Sequence, residues 1–243
     1  RSVVARTTSV TPTGIDGPME CLDLMALDFR SNMFPAFAMV PSYNDWLLDA
    51  DLDSTYLYER RVLKLLQWGE PVRPWRLKTP AHLLWLPSLD RAFPDCRFVM
   101  THRDPTEVML SIATVYTGTA AMFSDEVDPK FMGAMNVAIW SEGMRRAIAF
   151  RDAGNDQRFY DIQFRAMHKD PIGEVRGLYQ WLGEEVSPEF EANMAAWWEE
   201  NTANREVAEK PDPAMFGLDM DEVSELFADY RERAEQWCRH HSN

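Results

Sequence analysis

The chain has 243 residues, 46% hydrophobic and 26% charged, a globular composition that fits one domain of generous size. Its formal net charge of −14 excludes nucleic acid as a broad partner, because a phosphate backbone needs a basic face, although a small anion can still be held by one or two placed cations and a helix N-terminus. No apolar run approaches the roughly 20 residues of a membrane span. Three widely spaced cysteines, Cys21, Cys96 and Cys238, form neither a disulfide framework nor a zinc pattern and fit a reducing, cytoplasmic compartment.

Residues 1–17 are rich in Thr, Pro and Gly and read as a loop or frayed arm. The start, RSVVARTTSV, has no initiator Met and no signal-peptide core, so the chain reads as a single domain cut from a longer one. PMECLDLMALDFR (18–30) predicts a helix, and residues 31–54 predict irregular or short helical packing. TYLYERRVLKLLQW (55–68) predicts an amphipathic helix, with Leu57, Arg61, Lys64 and Gln67 alternating against Tyr58, Val62, Leu65 and Leu66. A rhythm follows. RPWRLK (73–78) predicts a short strand, and residues 79–93 a helix with an internal proline. RFVMTH (97–102) predicts a strand, and Pro105 to about Met122 a helix. Helix over 130–153, strand over 158–164, helices over 171–183 and 188–201, and a helical tail at 221–238 complete the pattern. Strands alternating with helices predict an α/β fold, a parallel sheet covered by helices on both faces.

Two strand ends carry chemistry. In HRDPTE, Asp104 suits an N-cap, Pro105 the first helical position, and Glu107 a capping box. Arg103 therefore stands at the carboxyl end of a strand beside a helix N-terminus, the edge where open parallel sheets bind ligands. Ser111 follows about two turns past the cap, on the same face. A guanidinium and a hydroxyl on one rim can hold a phosphate monoester. LKTPAHL repeats the device with Lys78, a Thr79 cap, Pro80 and then His82. On spacing alone a plainer reading also stands, in which Arg103 is a surface ion-pair partner, Ser111 an ordinary helix serine and Lys78 a snorkelling surface lysine.

Several segments in order resemble the sulfotransferases that use 3′-phosphoadenosine 5′-phosphosulfate (PAPS), in particular their bacterial group. WRLKTPAHL (75–83) is similar to the family's lysine-bearing strand end, and FPDCRFVMTHRDP (93–105) to its central strand. FRAMHKDPIGEVRGLYQWLG (164–183) and FGLD (216–219) with FADY (227–230) resemble later segments, so the likeness spans most of residues 18–235. The resemblance implies a helix-rich α/β fold related to the P-loop NTPases, with a parallel sheet flanked by helices. It implies Arg103 and Ser111 on the donor's 3′-phosphate, and Lys78 beside the bridging oxygen of the transferring group. Phe164 falls where the family usually has a tyrosine near the adenine, so only ring packing carries over. For the general base it points to His82, because the related cytosolic enzymes keep a histidine just beyond the matching lysine. The spacing differs, and a histidine in a first helical turn is also read as a cap or packing residue. Glu20, opening the first helix, is the rival, and its plainer reading is a carboxylate complementing a helix dipole. The aromatic stretch FPAFAMVPSYNDW (34–46) is acceptor-pocket wall or core. The family's Gly- and Thr-rich loop for the 5′-phosphosulfate has no match; TPTGIDGP (11–18) lacks the preceding strand and the basic residue. The expectation is a fragment without that strand-loop unit, or a homologue that has lost donor activation.

The implied reaction is in-line transfer of a sulfuryl group from PAPS to a hydroxyl or amine of a small molecule or lipid. It needs positioning, charge stabilisation and one base, and no metal. The alternatives are a catalytically inactive binding module of the same fold and, more remotely, a nucleotide-dependent kinase, whose Gly-x-x-x-x-Gly-Lys loop is absent.

Overall fold

A computed structural model describes residues 19–203 and 211–240; the expected arm at 1–17 and the TPTGIDGP stretch lie outside the described residues. The described residues open with four helices, α1 (Cys21–Ala26), α2 (Phe34–Phe37), α3 (Pro41–Asp49) and α4 (Asp53–Leu66). A segment without regular secondary structure leads to a 3-10 turn (Pro80–Leu84) and α5 (Leu86–Ala92). Then come β1 (Phe98–His102), α6 (Pro105–Ala120), α7 (Pro129–Phe150), β2 (Phe159–Gln163), α8 (Phe164–Lys169), α9 (Pro171–Leu182) and α10 (Pro188–Ala203). After a 3-10 turn (Pro213–Phe216), α11 (Met220–Leu226) and α12 (Ala228–His240) close the described chain. No helix among the described residues is long and apolar enough to cross a membrane.

Among the described residues β1 and β2 are the two strands, paired in parallel from Phe98↔Phe159 to His102↔Gln163. Phe98, Met100 and His102 point inward, and Phe98 stacks on Phe159 at 4.7 Å with Phe150 edge-on at 5.7 Å. Cover on both faces, expected from the alternating pattern, is realised for β2, whose first four residues are buried. It is not realised for β1, where Val99 is 46% exposed.

The expected strand at 73–78 does not form. The segment takes no regular secondary structure, and side chains and single main-chain bonds hold it. Gln67 Nε2 donates to the Arg73 carbonyl at 2.9 Å, Arg76 pairs with Glu184 at 2.5 Å, and Cys21 N–H donates to the Lys78 carbonyl at 3.0 Å. The expected helix over 79–93 breaks at Trp85, because Pro87 cannot continue a helix but fits the first turn of a new one. Helix α4 is rotated from the expected face. It buries Thr55, Tyr56, Glu59 and Leu63, while Leu65 and Leu66 are 71% and 56% exposed. The tail divides at the buried Phe227 into α11 and α12.

Helix α7 is the axis of the core, burying Met132, Met135, Ile139, Trp140 and Ala147 at three- and four-residue spacing. It ends in a wide turn (Arg151–Asn155) that carries Arg151 inward to 2% exposure. Gly133 lets the Pro213–Phe216 turn close on α7. A Cβ at that position would lie 2.1 Å from the Phe216 carbonyl oxygen, and backbone cannot yield as a side-chain tip can. Gly133→Ala is expected to lower stability by roughly 2–3 kcal/mol. The corresponding fall in thermal midpoint is about 4–12 °C, read by calorimetry.

Candidate functional site

The parallel register sets two strand ends side by side. β1 finishes at His102 and continues into Arg103; β2 finishes opposite at Gln163 and continues into Phe164. The Arg103 guanidinium lies 4.6 Å over the centre of the Phe164 ring, and its Nε donates to Glu107 Oε2 at 3.0 Å. Asp104 caps α6 by accepting from the Thr106 N–H at 2.9 Å and from the Thr106 hydroxyl at 2.6 Å. The Thr106 hydroxyl bond is the main reason its carboxyl is held below the usual range. Ser111 is exposed one turn beyond Glu107, so Arg103 reaches onto the α6 face that carries it. These contacts bring Arg103 and Phe164 together and leave Ser111 on the same face.

Lys78 and Glu20 meet in a second cluster. Their side chains form a direct ion pair, and the Lys78 carbonyl holds the first N–H of α1, which Glu20 caps. Thr79 accepts from the Ala81 N–H at 3.4 Å as the expected cap. His82 is turned elsewhere. It is half-buried, its Nδ1 lies 2.9 Å from the Tyr56 hydroxyl, and burial pushes the ring down to about 4. Tyr116, on α6 five residues past Ser111, joins the two clusters. Its hydroxyl accepts from Asn32 Nδ2 at 3.0 Å, burial raises it, and Glu20 lies near enough to raise it further.

The sequence reading missed Glu59. It is fully buried on α4, and among the described residues neither carboxylate oxygen has a nitrogen or oxygen partner; the polar group beside it is the Cys21 thiol. Burial pushes it up to about 7, and its proximity also raises the buried Cys21 thiol. A glutamate on the buried face of a helix, with no Lys or Arg three or four residues away on either side, was the available signal. Two cavities open elsewhere, one lined by Arg151, Asp161 and Trp237, the other by Arg176 and residues 183–186; neither touches Arg103, Ser111, Lys78 or Glu20. Among the described residues no group of three His, Cys, Asp or Glu is placed to hold a metal ion.

The architecture is that of the sulfotransferases, a P-loop-like α/β fold. It superposes on the crystal structure of sulfotransferase STF1 from Mycobacterium tuberculosis H37Rv with a TM-score of 0.77 and 30% identity, over 88% of this chain and 55% of that one. It superposes on sulfotransferase STF9 from Mycobacterium avium with a TM-score of 0.80 and 26% identity, over 95% and 62%. The model described as the sulfotransferase family matches residues 3–188, and the chain belongs to that family. It is also 28% identical over 109 residues to the omega-hydroxy-beta-dihydromenaquinone-9 sulfotransferase Stf3 of Mycobacterium bovis and of Mycobacterium tuberculosis. That match covers 44% of this chain and 28% of those relatives.

The Glu59 environment makes stability depend on pH with a definite sign. The folded protein keeps a proton that the unfolded chain releases near 4.5, so stability falls as pH rises from 4.5 to 7. His82 acts in the opposite direction, since its depressed value costs stability as pH falls from 6.5 to 4. A comparison with Glu59→Gln isolates the first effect. Relative to that variant, wild type is expected to lose about 3 kcal/mol between pH 4.5 and 8, measured by urea unfolding across the range.

Proposed function

We propose that the protein transfers a sulfuryl group from PAPS to a hydroxyl or amine of an apolar small-molecule or lipid acceptor. The observation that carries this reading is Arg103 lying over Phe164 at two adjacent strand ends, with Ser111 on the same helix face. These residues fit a 3′-phosphate nucleotide: the guanidinium supplies a charged fork, Ser111 a hydroxyl donor, and Phe164 a ring surface beside the base. The bound donor supplies the sulfuryl group.

On this reading Lys78 neutralises charge gathering on the transferring group, the kind of interaction that strengthens in the transition state. Glu20, held against Lys78, is the base that takes the acceptor proton. His82 is the weaker candidate. It is neutral at pH 7, but its Nδ1 is engaged by Tyr56 and burial depresses its basicity far below that of an ordinary imidazole.

An apolar acceptor is supported by an aromatic surface built from the turn after α1 together with α2 and α3. Phe29 holds a left-handed backbone (φ 56°), a strained conformation for a bulky residue, and its ring is 74% exposed. The Tyr43 hydroxyl fastens that turn, donating to the Phe29 carbonyl at 3.0 Å and accepting from the Ser31 N–H at 3.0 Å. Phe29 stacks on Phe34, which meets Tyr43 edge-on, and Tyr43 abuts Trp46, a ladder of rings facing solvent on one side. The relative Stf3 is named for a lipid-like menaquinone acceptor, in keeping with such a surface.

Calorimetric titration with adenosine 3′,5′-bisphosphate tests the donor site. Arg103→Ala is expected to weaken binding about 10–100-fold and Ser111→Ala several-fold, the range of a charged and a neutral hydrogen bond. Equal affinity in wild type and Arg103→Ala would remove the assignment; no binding by the full-length wild type would favour the inactive-module reading.

Turnover separates the two bases. In the full-length enzyme Lys78→Ala and Glu20→Gln are each expected to lower kcat by about 10²–10³-fold. His82→Gln is expected to change it by less than about tenfold, and a larger loss there than in Glu20→Gln would reverse the roles.

A further inference from the structure

Beneath the strand-end rim lies a buried polar chain that the proposed reaction does not use. His102, 3% exposed, presents Nε2 to Asp161 Oδ1 at 2.7 Å and Nδ1 to the Tyr230 hydroxyl at 3.1 Å. Asp161 is clamped from its other side by Arg151, through two bonds of 2.7 and 2.8 Å. Burial acts to raise the Asp161 carboxyl, but Arg151 and His102 outweigh it and hold it at about 2. Arg151 also stacks on Trp237 of α12, at 3.6 Å.

The order of donors along this chain follows from its fixed end. The ionised carboxylate of Asp161 can only accept, so His102 Nε2 carries a hydrogen toward it. The other ring nitrogen, Nδ1, faces the Tyr230 hydroxyl. The Tyr230 hydroxyl thus holds the ring of His102, the last residue of β1, directly before the residue whose guanidinium leaves the strand end.

Resting on the donor-site reading above, we propose that Tyr230 of α12 is a positioning residue for Arg103. Through it the C-terminal helix fixes the direction in which the guanidinium meets the 3′-phosphate. A buried ionic chain of this kind is weak evidence for stability, because apolar side chains of equal volume often serve as well. Its location decides the matter: the chain fixes the ring of the strand residue next to the one that must be aimed. Tyr230 also lies beyond residue 188, where the family match stops, so the final helix contributes to a rim built by the matched region.

The test compares two nucleotides on the full-length protein, adenosine 3′,5′-bisphosphate and adenosine 5′-phosphate, which differ by the 3′-phosphate alone. Tyr230→Phe keeps the ring and its packing and removes only the hydroxyl. It is expected to weaken binding of the bisphosphate about fivefold while leaving the monophosphate within about twofold, as loss of one hydrogen bond acting on one phosphate predicts. Added to Arg103→Ala, it is expected to cost nothing further. Equal weakening of both nucleotides, or a full additional loss in the double variant, would reduce Tyr230 to a structural role and overturn the inference. A bisphosphate preference that survives Arg103→Ala would instead defeat the donor-site reading, and the inference with it.

Discussion

The parallel pairing of β1 with β2 is the constraint on which the site depends. Because His102 is opposite Gln163, Arg103 and Phe164 leave the sheet at one level, and the guanidinium comes to lie over the ring. A slip of one residue would reverse the facing of every side chain on a strand. It would send Phe98 away from Phe150 and Phe159, and His102 away from Asp161. The aromatic stack at one end of the strands and the ionic chain at the other therefore fix the same register. Packing sets the position of the rim, and the buried charges set its orientation.

Helix α6 carries that rim to the second cluster. From Glu107 through Ser111 to Tyr116 it rises about 14 Å, at 1.5 Å per residue. Arg103 is anchored at its start, and Tyr116 meets Asn32 and the neighbourhood of Glu20 farther along. The Lys78–Glu20 pair is itself assembled from two segments, the stretch before Thr79 and the start of α1, joined by the bond from Cys21 N–H to the Lys78 carbonyl. One helix thus sets the separation between the residues proposed for the nucleotide and those proposed for transfer.

The elements most legible in the sequence were those whose signals are local. The capped start of α6 at Asp104–Pro105, the alternation in FVMTH and the close of α9 at Gly183 all form as their residues dictate. Of the candidate residues, Arg103 with Phe164 and Lys78 with Glu20 came from order along the chain, and their contacts became visible only in three dimensions. What the sequence hid depends on distant partners. The 73–78 segment has a strand's composition but no strand beside it among the described residues. Helix α4 turns Tyr56 and Glu59 inward, because α1 and α5 pack against α4 and His82 offers Tyr56 a partner. No local pattern places Tyr230 against a histidine 128 positions away.

The charge balance bears on how such a site handles an anionic donor. At a net charge of −14 the protein offers a nucleotide no long-range attraction, so capture falls to cations placed within a few ångströms. Each of these has a carboxylate partner, Glu107 for Arg103 and Glu20 for Lys78. Both pairs are partly exposed, where ion pairs contribute about 0–1 kcal/mol, so a phosphate that engages the Arg103 fork displaces Glu107 at little cost.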